Sequence, residues 1–562
     1  MDPAQPTNDS GDLGESGEKP PSVLYEPSPA GVREERAHDV NIDIHTQRYD
    51  GVQRRMEQRH IQMIGLAGTI GTGLFLGSGM VLHRAGPAGA LLAYTMCGTL
   101  TYAMTACLGE MSTFAPISGG HIHFAERWLH PSMGFAVGWQ IVFTTFVAIP
   151  TEVIASSILI SFWDKKFTQA HQAGYMTMFI VVCSIINLLG VRWFGEFEFA
   201  FATMKIILIV GLIIAGLVVS LGGGPNHERI GFRYWKDPGA FVPMLYPGAK
   251  GKFLAWFTNV VTAGYSFVGM EAVAIAAAEV KNPRVSIPRA IKRVFIRIVL
   301  FYIVSILVIG MLVPSTDPDL LRNRGTAASS PFVIAFSHAG IKVLPSIVNG
   351  GVLSSAFSAT CSGIYSGSRI LYSLGLRGMA PRFVAYTTKR GLPLVAVLIT
   401  SVFLTLSYMA LGAGAETALT WLLALTSLSG FIVWGTVGAT YIRFRRGMEV
   451  QGFDRSTLRY ANPLQPFLAW WVLVWAVLLV FLQGWPVFTR GNWNTTDFFI
   501  SYITIPVFVL LLVGYTIAKR PRAIKLKDLD FVSNIPTDEE TGYEEPKAPT
   551  TWWGKVLGFL FT

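Results

Sequence analysis

Charge is what this chain has least of. Only 14% of its 562 residues are Asp, Glu, Lys or Arg, against about a quarter in an ordinary soluble protein. That scarcity excludes a solvated globular surface of normal size. Cysteine is scarce too. The four, Cys97, Cys107, Cys183 and Cys361, all lie inside apolar stretches without metal-ligand spacing, which leaves no room for a disulfide framework or a zinc site. No phosphate-binding P-loop is present, which argues against ATP-driven work. No catalytic constellation stands out, so an enzyme is not expected, and neither a cofactor nor a metal is implied. No signal peptide opens the chain. Residues 1–55 are polar and rich in Pro, Glu, Asp and Ser, as expected of a disordered cytosolic tail.

What the chain has in abundance is hydrocarbon. Hydrophobic residues make up 51%, and the mean hydropathy is +0.45. The apolar runs are long enough to cross a hydrocarbon core of about 30 Å as helices. Twelve are read, near 61–82, 87–112, 131–163, 174–191, 197–221, 253–278, 291–314, 343–376, 392–412, 416–440, 466–483 and 497–517. The expected organisation is therefore a twelve-helix membrane domain over 56–518 with a cytosolic tail over 519–562. The third span carries Pro150 and should kink or tilt. Residues 331–342 read as a short interfacial helix.

The net charge of +10 suits anionic lipid better than nucleic acid, because the basic residues cap the spans. Arg54, Arg55 and Arg59 precede the first span, and Lys519, Arg520 and Arg522 follow the last. Lys281, Arg284, Arg289, Lys292, Arg293 and Arg297 follow the sixth, Arg377, Arg382, Lys389 and Arg390 the eighth, and Arg443, Arg445, Arg446, Arg455 and Arg459 the tenth. All share one side with both ends, which the positive-inside tendency makes cytosolic.

Two spans interrupt themselves. The first reads T-I-G-T-G-L-F from Thr69 to Phe75, and the sixth G-Y-S-F-V-G-M-E from Gly264 to Glu271. Glycine-broken spans at matching places point to a transporter's binding site, since freed N–H and C=O groups in hydrocarbon need partners. The half-helix beginning near Gly73 offers N–H groups to a carboxylate, with Thr72 adding a hydroxyl. Carbonyls at Thr69 and around Phe267 suit an ammonium. Close helix packing is the alternative use of Gly-x-Gly, and the second break weighs against it. Glu271 is an intramembrane acid, and such acids mark ligand or proton handling; the alternative is that it steadies the break. Lys205 lies about 10 Å along the helix from Glu198 at 1.5 Å per residue, either snorkelling or acting as a proton carrier. Glu152, just after Pro150, either lines the cavity or makes a bond within its own span. Tyr265 and Phe267 either close over a ligand or pack.

Several segments together resemble the fungal amino acid permeases of the amino acid–polyamine–organocation superfamily. They are R-H-I-Q-M-I-G-L-A-G-T-I-G-T-G-L-F-L-G-S-G (59–79), G-E-F-E-F-A-F-A-T-M-K (195–205), S-F-V-G-M-E-A-V with A-E-V-K-N-P-R-V-S-I-P-R-A-I (266–291), Y-S-G-S-R-I-L-Y-S-L (365–374), G-F-I-V-W-G with I-R-F-R-R (430–446), R-G-N-W-N (490–494) and T-W-W-G-K-V-L (551–557). The resemblance implies an all-α membrane fold: twelve helices in a LeuT-like 5+5 inverted repeat, broken in helices 1 and 6, plus two additional helices. It implies proton-coupled amino acid import at the plasma membrane. By position Thr69, Thr72 and Gly73 would hold the amino acid's backbone groups. Tyr265, Phe267, Gly269 and Glu271 would face them from span 6. Lys205 matches the lysine that stands in place of a sodium ion in proton-coupled relatives, and it shares proton coupling with Glu271. Thr144, Glu152, Met270 and Cys361 would form pocket walls.

The chain departs from the family at Met270, where a threonine is usual, at Cys361, where an asparagine is usual, and over Trp139–Val142. The partners implied are the amino acid, protons, the bilayer and, through tail lysines such as Lys19, Lys525 and Lys547, the ubiquitin machinery of endocytosis. A permease-like sensor and a proton-independent exchanger are the alternatives.

Overall fold

The computed structural model describes residues 71–115, 120–164, 166–271, 287, 288, 291, 294–321, 330–388 and 391–533, and among these there are helices, turns and loops but no strand. The main elements are α1 (Gly73–Phe114), α2 (Gly120–Phe124), α3 (Pro131–Ile160), α4 (Gln169–Leu188), α5 (Val191–Ser220), α6 (Gly248–Gly264), α7 (Val294–Leu312), α8 (Pro331–His338), α9 (Leu344–Leu376), α10 (Leu394–Ala413), α11 (Ala415–Val450), α12 (Phe467–Phe488), α13 (Thr495–Tyr502) and α14 (Thr504–Lys519). Eight helices among the described residues are each long and apolar enough to span a membrane. The pair α13 and α14, bent by 44°, makes up to nine.

The remaining expected spans have local explanations. The first is described only from Gly71 and runs into the second as α1. The two are separated at Gly86, whose φ of 80° departs from a helix. Only glycine fits there, since a Cβ would lie 2.8 Å from the Ala240 carbonyl oxygen. Pro87 supplies no N–H at the corner. The neighbouring groups pair with the loop before α6: Ala88 N–H donates to Ala240 O at 2.9 Å, and Val242 N–H donates to Ala85 O at 3.1 Å. The sixth is 17 residues long before it breaks. The eighth is α9, preceded by the short α8 over the stretch read as an interfacial helix. Pro150 lies inside α3 without interrupting it.

Depth in the bundle follows sequence. In the most apolar window of α3, 83% of residues are buried inside the protein, against 33% in α4 and 39% in α5. The outer helices expose Ile207, Leu510 and Ile517, side chains suited to lipid. The inner helices approach closely at small residues: a Cβ on Gly363 would lie 2.4 Å from Ile149, and one on Gly367 would lie 2.5 Å from Thr145. Hydroxyls in these apolar helices satisfy themselves on the preceding turn, as Thr101, Thr151 and Ser427 do at 2.8–2.9 Å.

Part of the expected C-terminal tail is docked. Arg127 donates to Asp530 O and Ser533 O, both at 2.7 Å, and its guanidinium pairs with the Asp530 carboxylate at 3.0 Å. Arg443 donates to Ile524 O. Gln451 donates to Leu526 O and Leu529 O at 3.1 and 2.8 Å. Phe531 packs on Trp128, Phe114 and Phe444. Arg297, read as a loop cation, is instead 1% exposed within the first turn of α7.

Candidate functional site

The second break forms as its residues dictate. The helix α6 ends at Gly264, tightens to a 3-10 turn over Tyr265–Phe267, then leaves helical geometry at Val268, with φ −61° and ψ 139°. Gly269 takes φ +93°, a left-handed conformation natural to glycine. Glu271 folds back on this turn. Its Oε2 accepts from Gly269 N–H at 3.2 Å and from the Trp434 indole at 3.3 Å. The carboxylate thus splints the break, the more conservative of the two readings. Met270 is wholly buried.

At the first break Thr72 precedes a widened π turn over Gly73–Gly77; Thr69 lies outside the described residues. The two breaks touch. A Cβ on Gly73 would stand 2.7 Å from the Tyr265 ring and 3.0 Å from Ser266 Cα, so glycine is what permits the approach. Tyr94 bridges them: its hydroxyl donates to Gly73 O at 3.1 Å and lies 3.2 Å from Ser266 Oγ. Phe267 stacks on Tyr302 with ring centroids 4.5 Å apart.

Glu152, read as a pocket wall, sits at the junction. Thr72 N–H donates to both its carboxylate oxygens at 3.3 Å, and Tyr265 OH donates to Oε1 at 2.9 Å. A Cβ on Gly71 would be 2.5 Å from Oε1. One carboxylate of the protein therefore occupies the helix N-terminus that the sequence offered to a ligand's carboxylate. Thr72, Tyr265, Phe267 and Glu152 are all under 9% exposed, so the junction is sealed from solvent in this conformation.

Lys205 is 1% exposed, which removes the snorkelling reading. The charges bearing on it are those of Glu198 and Glu152, with the Cys361 thiol nearby. Glu198 is itself buried, and its Oε2 accepts from Ser358 Oγ at 2.8 Å. Cys361 also meets Asn187 of α4, whose side-chain amide donates to the Cys361 carbonyl at 3.3 Å. Thr144 is buried on α3 and hydrogen-bonds its own helix, at Gln140 O. A separate cavity of about 250 Å³ opens beyond α11, lined by Glu110, Tyr441, Arg455 and their neighbours. It lies away from the breaks.

Tyr94, Ser266, Trp434, Ser358 and Glu198 escaped the sequence reading. Glu198 alone carried a signal, because it lies seven residues before Lys205, two helical turns and hence the same face. The others come together only through folding.

The start of α1 and the end of α6 meeting at a buried carboxylate, with a buried lysine among acids, suit a transporter. Residues 60–527 match the amino acid permease family. The chain belongs to that family.

The permease is 38% identical over 504 residues to the basic amino-acid permease of Saccharomyces cerevisiae, covering 89% of this chain and 87% of that protein. It is 37% identical over 549 residues to the proline-specific permease of Emericella nidulans, covering 96% and 98%. Relatives named for such unlike substrates match it almost equally. Among solved structures it resembles the manganese transporter of Eremococcus coleocola, with a TM-score of 0.53 and 13% identity over 82% of this chain and 94% of that one. That likeness is one of fold alone. The permease is a multi-pass membrane protein, and its curated relatives are transporters rather than enzymes.

Proposed function

We propose that this permease imports amino acids together with protons, by alternating access around the junction of its two broken helices. The observation that carries the reading is the meeting of Thr72 and Tyr265 on one buried carboxylate, Glu152. In this sealed state Glu152 holds the amide that a substrate carboxylate would claim. Entry of the amino acid displaces Glu152 from Thr72, and the substrate ammonium meets Glu152 and the second lone pairs of the carbonyls around Phe267, which accept from Val268 and Met270 in the sealed state. Tyr265 swings with Glu152 and gates the path, while Glu271 stays on Gly269 and Trp434 to keep the second break open. Lys205 carries the coupling proton. Sealing on both faces requires the surrounding helices to move for access from either side, as two five-helix repeats rocking about a fixed site would do. This reading includes the 5+5 arrangement plus two helices, both ends cytosolic, and residence in the plasma membrane with turnover through ubiquitin on the tails.

Uptake of radiolabelled L-lysine and L-proline by permease-deficient yeast expressing the full chain tests it, with the common amino acids as competitors. The expected result is saturable uptake of at least one amino acid that rises as the medium is acidified, with matching acidification of the cytosol. Uptake without acidification would make the protein an exchanger. Binding without uptake would make it a sensor.

A further inference from the structure

Lys205 needs somewhere to deliver its proton. On its own helix, seven residues toward the N-terminal and hence cytosolic end, stands Glu198, 2% exposed. Of the buried acids, Glu198 bears on the Lys205 charge most strongly, ahead of Glu152. Of the Glu198 oxygens, Oε2 is held by the Ser358 hydroxyl at 2.8 Å. Oε1 is enclosed and has no hydrogen-bond partner among the described residues. An ionisable side chain enclosed in a membrane protein is costly to keep unless it serves a function. The groups around the pair are Glu152 of α3, Ser358, Ser362 and Cys361 of α9, and Cys183 of α4 behind Cys361. Among these, Glu152 is already committed to the two breaks.

We propose that Glu198 is the proton acceptor on the cytosolic side of Lys205. This rests on the proton-coupled reading above. In the inward step Lys205 Nζ moves from its place in this sealed state into hydrogen-bond reach of Glu198 Oε1, an N–H bond on Nζ breaks and an O–H bond forms on Oε1. The ammonium becomes an amine and the carboxylate becomes a carboxylic acid, with no change in total charge. The proton then leaves Oε1 for cytosolic water, restoring the carboxylate, and the amine is protonated again from the outer side. Ser358 orients the acceptor by fixing Oε2 and leaving Oε1 turned free.

The test is the full chain reconstituted in liposomes, assayed separately with radiolabelled L-lysine and L-proline. Two activities are read: exchange of internal for external amino acid without a pH gradient, and accumulation driven by an inward proton gradient. Glu198→Gln is expected to exchange at close to the wild-type rate while losing accumulation by about a hundred-fold or more, the scale of a lost proton-transfer group. Glu198→Asp, which keeps the carboxyl, should recover pH-driven accumulation. Glu198→Gln accumulating with the wild-type pH profile would overturn the proposal. Loss of exchange and accumulation together in both variants would overturn it too, by marking a structural role. A wild-type protein that exchanges but ignores the gradient would instead bring down the coupling reading itself.

Discussion

Gly73 and Gly71 show how much of this site depends on the absence of a side chain. Each lies where a Cβ would collide, Gly73 with Tyr265 and Ser266 and Gly71 with the Glu152 carboxylate. Gly73→Ala should therefore force the breaks apart and abolish uptake while leaving the protein in the membrane, as uptake and surface-expression assays together would show. Glu152 receives a Thr72 amide and a Tyr265 hydroxyl. Hydrogen bonds to charged groups are worth about 1.5–3 kcal/mol each, so Tyr265→Phe should change apparent substrate affinity by about ten-fold or more, measured as the KM of uptake. Lys205→Met should leave uptake indifferent to external pH, read across an acid-to-neutral series. Pairing of the broken spans was legible because glycine in an apolar run is conspicuous. That Glu152, rather than a ligand, would cap Thr72 was not legible, because the contact spans 80 residues of chain and depends on how α3 sits beside α1.

At the scale of elements, the ends of the spans hold more structure than their composition suggests. Glu110, fully buried near the end of α1, accepts from Arg455 at 2.7 Å, from Asn462 N–H at 2.6 Å and from Tyr441 OH at 2.5 Å. This ties the loop after α11 to the bundle. Arg455→Ala leaves that buried carboxylate without its partly exposed cation, and should lower the thermal unfolding midpoint of the detergent-solubilised protein. The docked segment from Ile524 to Ser533 was read as tail because it is short and polar. Its anchors, Leu529 and Phe531, are isolated apolar residues that gain meaning only against Trp128, Phe444 and the Cα of Gly447. Phe531→Ala should cost about 3 kcal/mol or more, the usual price of emptying an aromatic site, by the same melting assay. Long apolar helices such as α3 and α11 were plain in the sequence, since a long apolar stretch has few other uses. The corner at Gly86 was plain too, since His83, Arg84, Gly86 and Pro87 interrupt the apolar run between the first two spans.

Across the whole molecule, the proposed function puts amino acid recognition at the meeting of the start of α1 and the end of α6. The molecule uses its few charges sparingly: many sit at span ends, while Glu152, Glu198, Lys205 and Glu271 are enclosed. The substrate side chain remains the least legible feature, because it is selected by pocket walls contributed from several spans rather than by a motif. The most direct measurement is a density map of the full chain bound to the amino acid that the uptake panel selects. The account predicts density for its carboxylate at the Thr72 and Gly73 amides, its ammonium toward Glu152 and the carbonyls near Phe267, and Glu152 withdrawn from Thr72. Ligand density elsewhere, with Glu152 still seated on Thr72 and Tyr265, would contradict it.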